Sequence, residues 1–280
     1  MTPKAKKTSV LTAAPSIQNG FSLISNEKLL QLYATMLKCR AIHECLRILI
    51  KKNKLALNLA ASRGQEAASV GLTIDLLPED TIAPHPGDII PFFISGLPLQ
   101  DLLPSSFGPT SPAPSIAGRL KTATDAARLN KLSNNKRIAV AISNESTSTG
   151  SWQKALTFAG LHDLPMIFLS CNHIPSKTKR RPLPAITVDG NDVVAVYRVA
   201  CEAIAHARLG NGPTLIECQP YVLNPGDPIL NMEQYLTRKG ILSTDFKCEI
   251  VAEFRNELDA AIGQISRPER LGLPLELLGR

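Results

Sequence analysis

The chain has 280 residues, of which 44% are hydrophobic and 20% are charged, and its formal net charge is +7. This composition is typical of a globular protein that buries an apolar core. No run approaches the about 18 uninterrupted apolar residues that a membrane span requires, so the sequence predicts none. Its six cysteines form no C-x-x-C pair, which is typical of reduced thiols in a cytoplasmic protein.

The two ends of the chain differ in character from its centre. Residues 1–24 carry Lys4, Lys6 and Lys7 but no long apolar core, which excludes a secretory signal and predicts a disordered basic tail. We expect residues 25–280 to form a single α/β domain with a helical segment at its C-terminal end.

A long helix is predicted at the start of that domain. Ser25 and Glu27 are a capping residue and a first-turn acid, and apolar residues follow at helical spacing. Downstream, Gly64–Gln65–Glu66–Ala67 predicts a second helix, because the glycine lets the chain turn and Glu66 favours a helix N-terminus. The apolar residues of the long first helix are Leu29, Leu32, Tyr33, Met36 and Leu37.

The central stretch reads as strand, loop, helix and strand. Arg137–Ile142 and Met166–Ser170 are short apolar runs typical of buried strands. Between them, a polar loop leads into a helix with the stripe Trp152, Ala155, Leu156 and Ala159. A βαβ unit of this kind requires a parallel sheet covered on both faces, and ligands bind such sheets where the strands end. The sequence therefore places a ligand site at Ser143–Thr149.

A second unit of the same kind follows. Ile186–Val193 predicts a strand that turns sharply into the helix Val194–Arg208, and Gly212–Glu217 predicts another buried strand. Two such units in series predict an α/β fold, a doubly wound parallel sheet with helices on both faces.

These segments resemble the alpha subunit of thiamine diphosphate-dependent pyruvate and branched-chain 2-oxo acid dehydrogenases. The resemblance extends over Ser25 to about Pro274 and is most specific at Val188–Val193, which reads Val-Asp-Gly-Asn-Asp-Val, and at Gly212–Glu217. It implies a thiamine diphosphate-binding fold, thiamine diphosphate and Mg²⁺ as cofactors, and oxidoreductase activity on a 2-oxo acid. It also implies association as a homodimer or with a beta-type subunit in a heterotetramer.

The departures from the family fall on its cofactor motifs. Ser143, Asn144 and Glu145 stand where the family has Gly-Asp-Gly, and Asn172 and His173 stand where it has Asn-Asn. By resemblance these positions bind the diphosphate, with Asn144 and His173 as candidate metal ligands. An amide is neutral, Glu145 would repel phosphate, and imidazole suits zinc better than magnesium. We therefore expect the thiamine and magnesium site to be impaired.

Further departures affect the surrounding loops. Ala83–Asp88 replaces a Tyr-Arg-Asp-His-like segment, which leaves His85 as a predicted loop histidine, and Pro104–Pro114 replaces a Gly-rich segment. No histidine follows His206, although the family has a catalytic histidine loop there. Cys171 lies two residues before His173, but two ligands do not make a metal site, so packing is the better interpretation of this pair.

Three functions remain open at this point. The departures favour a structural or regulatory subunit that has kept the fold and lost the chemistry. The alternative is an active decarboxylase that oxidises a 2-oxo acid and passes the acyl group to lipoamide, with Asn144, Asn172 and His173 around the metal diphosphate. A basic nucleic-acid binder rests only on net charge and on Lys177–Arg181, where no aromatic residues are interleaved for base stacking.

Overall fold

The computed structural model describes most of the chain between Ile24 and Ile265. The predicted tail, apart from Ile24, and the segment after Ile265 lie outside the described residues, so the predicted domain division stays a prediction. The described stretches are residues 24–53, 64–85, 87–105, 115–143, 150–171, 183, 185–219 and 226–265.

A parallel sheet forms the centre of the fold. Its strands, in the order β1-β2-β3-β5-β4, pair in parallel throughout. Strands β2 and β3 are buried along their whole length, as expected for apolar runs covered by helices on both faces. The doubly wound parallel sheet predicted from the sequence is thus confirmed. The strands are β1 (Thr81–Ala83), β2 (Ala139–Ser143), β3 (Met166–Ser170), β4 (Ala185–Asp189) and β5 (Thr214–Gln219).

Helices cover both faces of the sheet in the described chain. On one face α2 and α7 bury their apolar stripes, and on the other α5 and α6 do so, including the predicted stripe of α6. A third apolar cluster joins the remaining helices beside α2. The helices are α1 (Asn26–Asn53), α2 (Glu66–Thr73), α3 (Ile90–Ile94), α4 (Leu99–Ser105), α5 (Ile116–Leu132), α6 (Gly150–Leu161), α7 (Val193–Arg208), α8 (Pro228–Arg238) and α9 (Phe246–Ile265).

The contact between α2 and α7 depends on a glycine. A Cβ atom built on Gly71 would lie 2.8 Å from Cγ1 and 2.9 Å from Cβ of Val196. Since those distances are shorter than real carbon contacts, only glycine allows the two helices to approach this closely. The close approach draws Ala68 and Leu72 of α2 into the cluster that covers the sheet.

A bidentate ion pair stabilises the amino edge of the sheet, where the parallel strands begin. The Arg208 guanidinium donates from Nη1 to Asp80 Oδ1 at 3.0 Å and from Nη2 to Oδ2 at 2.5 Å. The same carboxylate accepts hydrogen bonds from the backbone N–H groups of Leu77 at 2.8 Å and Ile138 at 3.0 Å. Asp80 therefore connects the entries of β1 and β2 to the end of α7.

No helix among the described stretches combines the length and apolar character that crossing a membrane would require.

Candidate site at the carboxyl edge of the sheet

The carboxyl edge of the sheet, where the parallel strands end, is the predicted ligand site. Strands β2 and β3 end side by side, with Ser143 opposite Ser170. The backbone N–H of Cys171 donates to the carbonyl oxygen of Ser143 at 2.9 Å, which extends the pairing by one bond. Segments that leave these two strands therefore start next to each other, as the sequence predicts for a shared site.

Only one of the predicted site residues is described by the structure. Ser143 is the last residue of β2 and is fully buried, whereas the sequence placed it in the loop after the strand. Its side chain thus belongs to the packed sheet. The other predicted ligands, Asn144, Glu145, Asn172 and His173, lie outside the described residues, as does the basic loop Lys177–Arg181.

Two thiols meet at this edge. Strand β3 pairs with β5 so that Ser170 lies opposite Glu217, which makes Cys171 and Cys218 lateral neighbours. Both are buried in the same apolar cluster. A hydrogen bond with the Cys171 thiol, followed by burial, raises the pKa of Cys218 well above its ordinary value. The sequence missed this pair because its members come from two strands that are distant along the chain.

A network of charges lies on the same side of the sheet, at the start of α2. Arg40 of α1 donates to both carboxylate oxygens of Glu66, from Nε at 2.6 Å and from Nη2 at 3.0 Å, and its Nη1 donates to Asp227 at 2.7 Å. The Glu66 side chain is completely buried. Asp227 also caps α8 by accepting from the N–H of Ile229 at 2.9 Å. One arginine thereby joins three helices.

Glu66 remains ionised in this network. Burial opposes its ionisation, but hydrogen bonds from His43 and Arg40 and the charge of Arg40 outweigh burial and lower the pKa of Glu66 from 4.5 to about 2. Burial also opposes the charged form of Asp227, whose pKa the Arg40 guanidinium lowers. The two carboxylates and the guanidinium neutralise one another in large part, so Glu66, at the helix start that the sequence predicts, has a structural role here.

The loop after β1 contains a further buried carboxylate. Asp88 accepts a hydrogen bond from the N–H of Ile90 at 3.0 Å, and burial raises its pKa. His85 lies in the irregular stretch before it, as predicted, and its carbonyl oxygen accepts from the N–H of Asp88 at 2.9 Å. Arg119 of α5 approaches the same loop, since its Nη1 donates to the carbonyl oxygen of Pro84 at 3.3 Å.

The motif that begins at Asp189 uses its polar groups to build a turn. Asp189 accepts from the N–H of Asn191 at 2.9 Å, and Asp192 caps α7 by accepting from the N–H groups of Val194 and Ala195. A Cβ atom on Gly190 would lie 3.0 Å from Cβ of Cys218. The predicted turn from strand to helix is confirmed, and both carboxylates accept hydrogen bonds from backbone N–H groups.

The described residues that end β2 and β3 are packed into the core. Ser143 and Ser170 are buried, and Cys171 is buried in the apolar cluster that also contains Cys218. Mg²⁺ requires oxygen ligands in near-octahedral geometry, usually including a carboxylate, and a thiol is a soft ligand suited to other metals. Within the described stretches, no group of three or more His, Cys, Asp or Glu residues could hold a metal ion.

The fold defines the class of protein. A parallel sheet with helices on both faces is a doubly wound α/β architecture, which is consistent with a thiamine diphosphate-binding fold.

Comparison with known proteins identifies the relatives. The sequence model of the family described as Dehydrogenase E1 component matches residues 170–226, from the end of β3 to the residue before α8's cap. The chain is 27% identical to 2-oxoisovalerate dehydrogenase subunit alpha of Bacillus subtilis, over 82% of this chain and 88% of the relative. It is 26% identical to pyruvate dehydrogenase E1 component subunit alpha of Staphylococcus epidermidis, over 88% of this chain and 80% of the relative. The chain is thus a homologue, at low identity, of the alpha subunits of 2-oxo acid dehydrogenases, which confirms the resemblance.

Proposed function

We propose that this chain is a structural or regulatory homologue of the 2-oxo acid dehydrogenase alpha subunit, with an impaired thiamine diphosphate and magnesium site. The observation that carries the proposal is the set of substitutions after β2 and β3, where Ser143, Asn144 and Glu145 replace Gly-Asp-Gly and Asn172 and His173 replace Asn-Asn. Asn144 is neutral, Glu145 would repel phosphate, and the imidazole of His173 suits zinc better than magnesium.

The disposition of charge on this side of the sheet supports the same conclusion. Arg40 is committed to Glu66 and Asp227, and Asp189 and Asp192 are committed to backbone N–H groups. These groups stabilise helix starts and helix contacts, so they preserve the fold without contributing to a metal site. Retention of a fold does not imply retention of its chemistry.

The proposed role requires a partner. The relatives are named as alpha subunits, and we propose that this chain likewise associates with a beta-type subunit or with a second copy of itself. Size-exclusion chromatography with light scattering, performed on the chain alone and after mixing with a candidate beta-type subunit, measures both associations.

Calorimetric titration with thiamine diphosphate and Mg²⁺ tests the proposal directly. We expect no saturable heat up to millimolar ligand, either for the chain alone or for its complex with a beta-type subunit. Saturable binding by the unaltered protein would contradict an impaired site. The double variant Asn144→Asp, Glu145→Gly restores the family's charge and backbone access and should bind if these two departures are the cause.

A matched control separates the charge change from its position. Asn211→Asp makes the same chemical change at an exposed site before β5, at the opposite edge of the sheet. It should leave the titration unchanged. Binding by this variant would mean that added negative charge anywhere attracts magnesium diphosphate, and the result with the double variant Asn144→Asp, Glu145→Gly would then not report on the site.

A second candidate function is an active oxidative decarboxylase of a 2-oxo acid that passes the acyl group to lipoamide. It is favoured by the pairing of β2 with β3, because Asn144 and Asn172 follow strand ends that lie side by side. Both residue types carry an amide oxygen that can act as a donor to magnesium. Saturable binding in the titration above would support this candidate, and Asn144→Ala and Asn172→Ala should then abolish that binding.

A further inference from the structure

The buried thiols of Cys171 and Cys218 form a pair that the proposed function does not use. Their strands are adjacent and parallel, and the register set by Ser170 and Glu217 places the two residues side by side. Both side chains are almost fully buried, at 4% and 2% exposure, in the cluster between the sheet and α7. All six cysteines of the chain are free thiols.

We propose that Cys171 and Cys218 are a redox-active pair that closes to an intrachain disulfide and joins β3 to β5 at the carboxyl edge. Neighbouring strands lie about 4.8 Å apart, and a disulfide accepts Cα separations of about 4.4–6.8 Å, so the backbone already has a suitable spacing. The side chains point to the same face, because both belong to one apolar cluster. Closure therefore requires rotation of side chains and little movement of the strands.

Hydrogen peroxide is a suitable oxidant because it is small and uncharged. One thiol attacks a peroxide oxygen, which breaks the O–O bond, and the thiol proton leaves with the departing hydroxide, giving a sulfenic acid and one water molecule. The second thiol then attacks the sulfenic sulfur, and its proton leaves with the sulfenic hydroxyl as a second water while the S–S bond forms. Two thiols are oxidised, one peroxide is reduced to two waters, and no further reactant is needed.

A disulfide between Cys171 and Cys218 would affect the candidate site, because Cys171 directly precedes two of its predicted residues. Cys171 is the last described residue before the segment that carries Asn172 and His173, and its N–H bonds to the end of β2. A disulfide to β5 would fix the point at which the chain leaves β3. This inference does not depend on whether thiamine diphosphate binds.

Peptide mapping after peroxide treatment tests the proposal. The background variant Cys248→Ala removes the exposed thiol and its intermolecular products. We expect this protein to lose two thiols, to yield one peptide pair linked through Cys171 and Cys218, and to regain both thiols with dithiothreitol. Adding Cys171→Ala or Cys218→Ala should abolish the linked peptide pair, whereas adding Cys201→Ala, a half-buried cysteine of α7, should leave the linkage intact.

Two results would overturn it. One is that both thiols remain free under peroxide treatment that fully oxidises Cys248 in the unaltered protein. The other is that Cys171 and Cys218 gain oxygen separately, as sulfinic acids, without becoming linked. Both results are read from the Cys248→Ala and unaltered proteins, so they stand even if a core alanine variant fails to fold.

Discussion

The two edges of the sheet use polar residues in different ways. At the amino edge, Asp80 and Arg208 form a bidentate ion pair, and the carboxylate also binds two backbone N–H groups. At the carboxyl edge, β2 and β3 end in neutral serines and a thiol, and the charged network of Arg40, Glu66 and Asp227 lies beside the sheet.

The contrast between the two edges separates the residues that hold the fold together from those at the edge where a ligand would bind. The amino edge connects two strand entries to α7, so its charges hold the sheet and its helices together. The carboxyl edge is where a parallel sheet usually binds a ligand, and the described residues that end β2 and β3 there are buried serines. Sequence changes at a ligand edge can remove chemistry while the fold persists, because they leave the packed elements in place.

Removal of Arg208 should give the largest effect. Arg208→Met leaves Asp80 buried without its counter-ion, and we expect a loss of about 3–5 kcal/mol in the free energy of unfolding. Urea denaturation measures it. Arg198→Met, an exposed position on the same helix, is the control and should change stability by less than about 0.5 kcal/mol. Equal losses of unfolding free energy in the two variants would show that the Asp80–Arg208 ion pair contributes no more to stability than an exposed arginine does.

Acid should weaken the network beside the carboxyl edge. The pKa of Glu66 is about 2 in the folded chain against 4.5 ordinarily, so its contribution is complete above pH 4.5 and is lost as the pH falls towards 2. The shift corresponds to about 3 kcal/mol of unfolding free energy.

Urea midpoints measured from neutral pH down to pH 2 should show that loss in the unaltered chain. Glu66→Gln should remove most of it, whereas Glu202→Gln, at an exposed position of α7, should retain it. If Glu66→Gln and the unaltered chain lost stability in parallel, the network would contribute nothing through ionisation of Glu66.

The crossing of α2 and α7 gives a smaller expected effect. Gly71→Ala would place a Cβ against Val196, and we expect a loss of about 1–3 kcal/mol in unfolding free energy. Gly263→Ala, in a helix with no neighbouring atom within 4 Å, should instead stabilise by up to about 1 kcal/mol. Val196→Ala should recover part of the loss in the Gly71→Ala background, and its failure to do so would contradict steric conflict as the cause.

The cap of α7 should give the smallest effect. Asp192→Ala removes the acceptor for two backbone N–H groups, and we expect a loss of about 1 kcal/mol by urea denaturation. Asp125→Ala, within an exposed ion pair on α5, should cost less. A larger loss of stability in Asp125→Ala than in Asp192→Ala would show that the cap formed by Asp192 does not stabilise α7.

The elements of this fold could be predicted because their signals are local. The stripe of Trp152, Ala155, Leu156 and Ala159 and the apolar runs of β2 and β3 specify burial by spacing along a few residues. The turn from Asp189 to Asp192 is likewise encoded by adjacent residues. The position of Ser143 was wrong by one residue, because its carbonyl bond to Cys171 depends on a neighbouring strand.

The sequence by itself determined the class of fold, the two strand–helix–strand units in series, and the substitution of the residues that the family uses for magnesium diphosphate. Only the tertiary structure decided which side chains meet. Arg40 reaches Glu66 across 26 residues and Asp227 across 187, and Cys171 meets Cys218 through strand order alone. Local spacing fixes which face a residue occupies, but pairing between distant residues follows from how the elements pack.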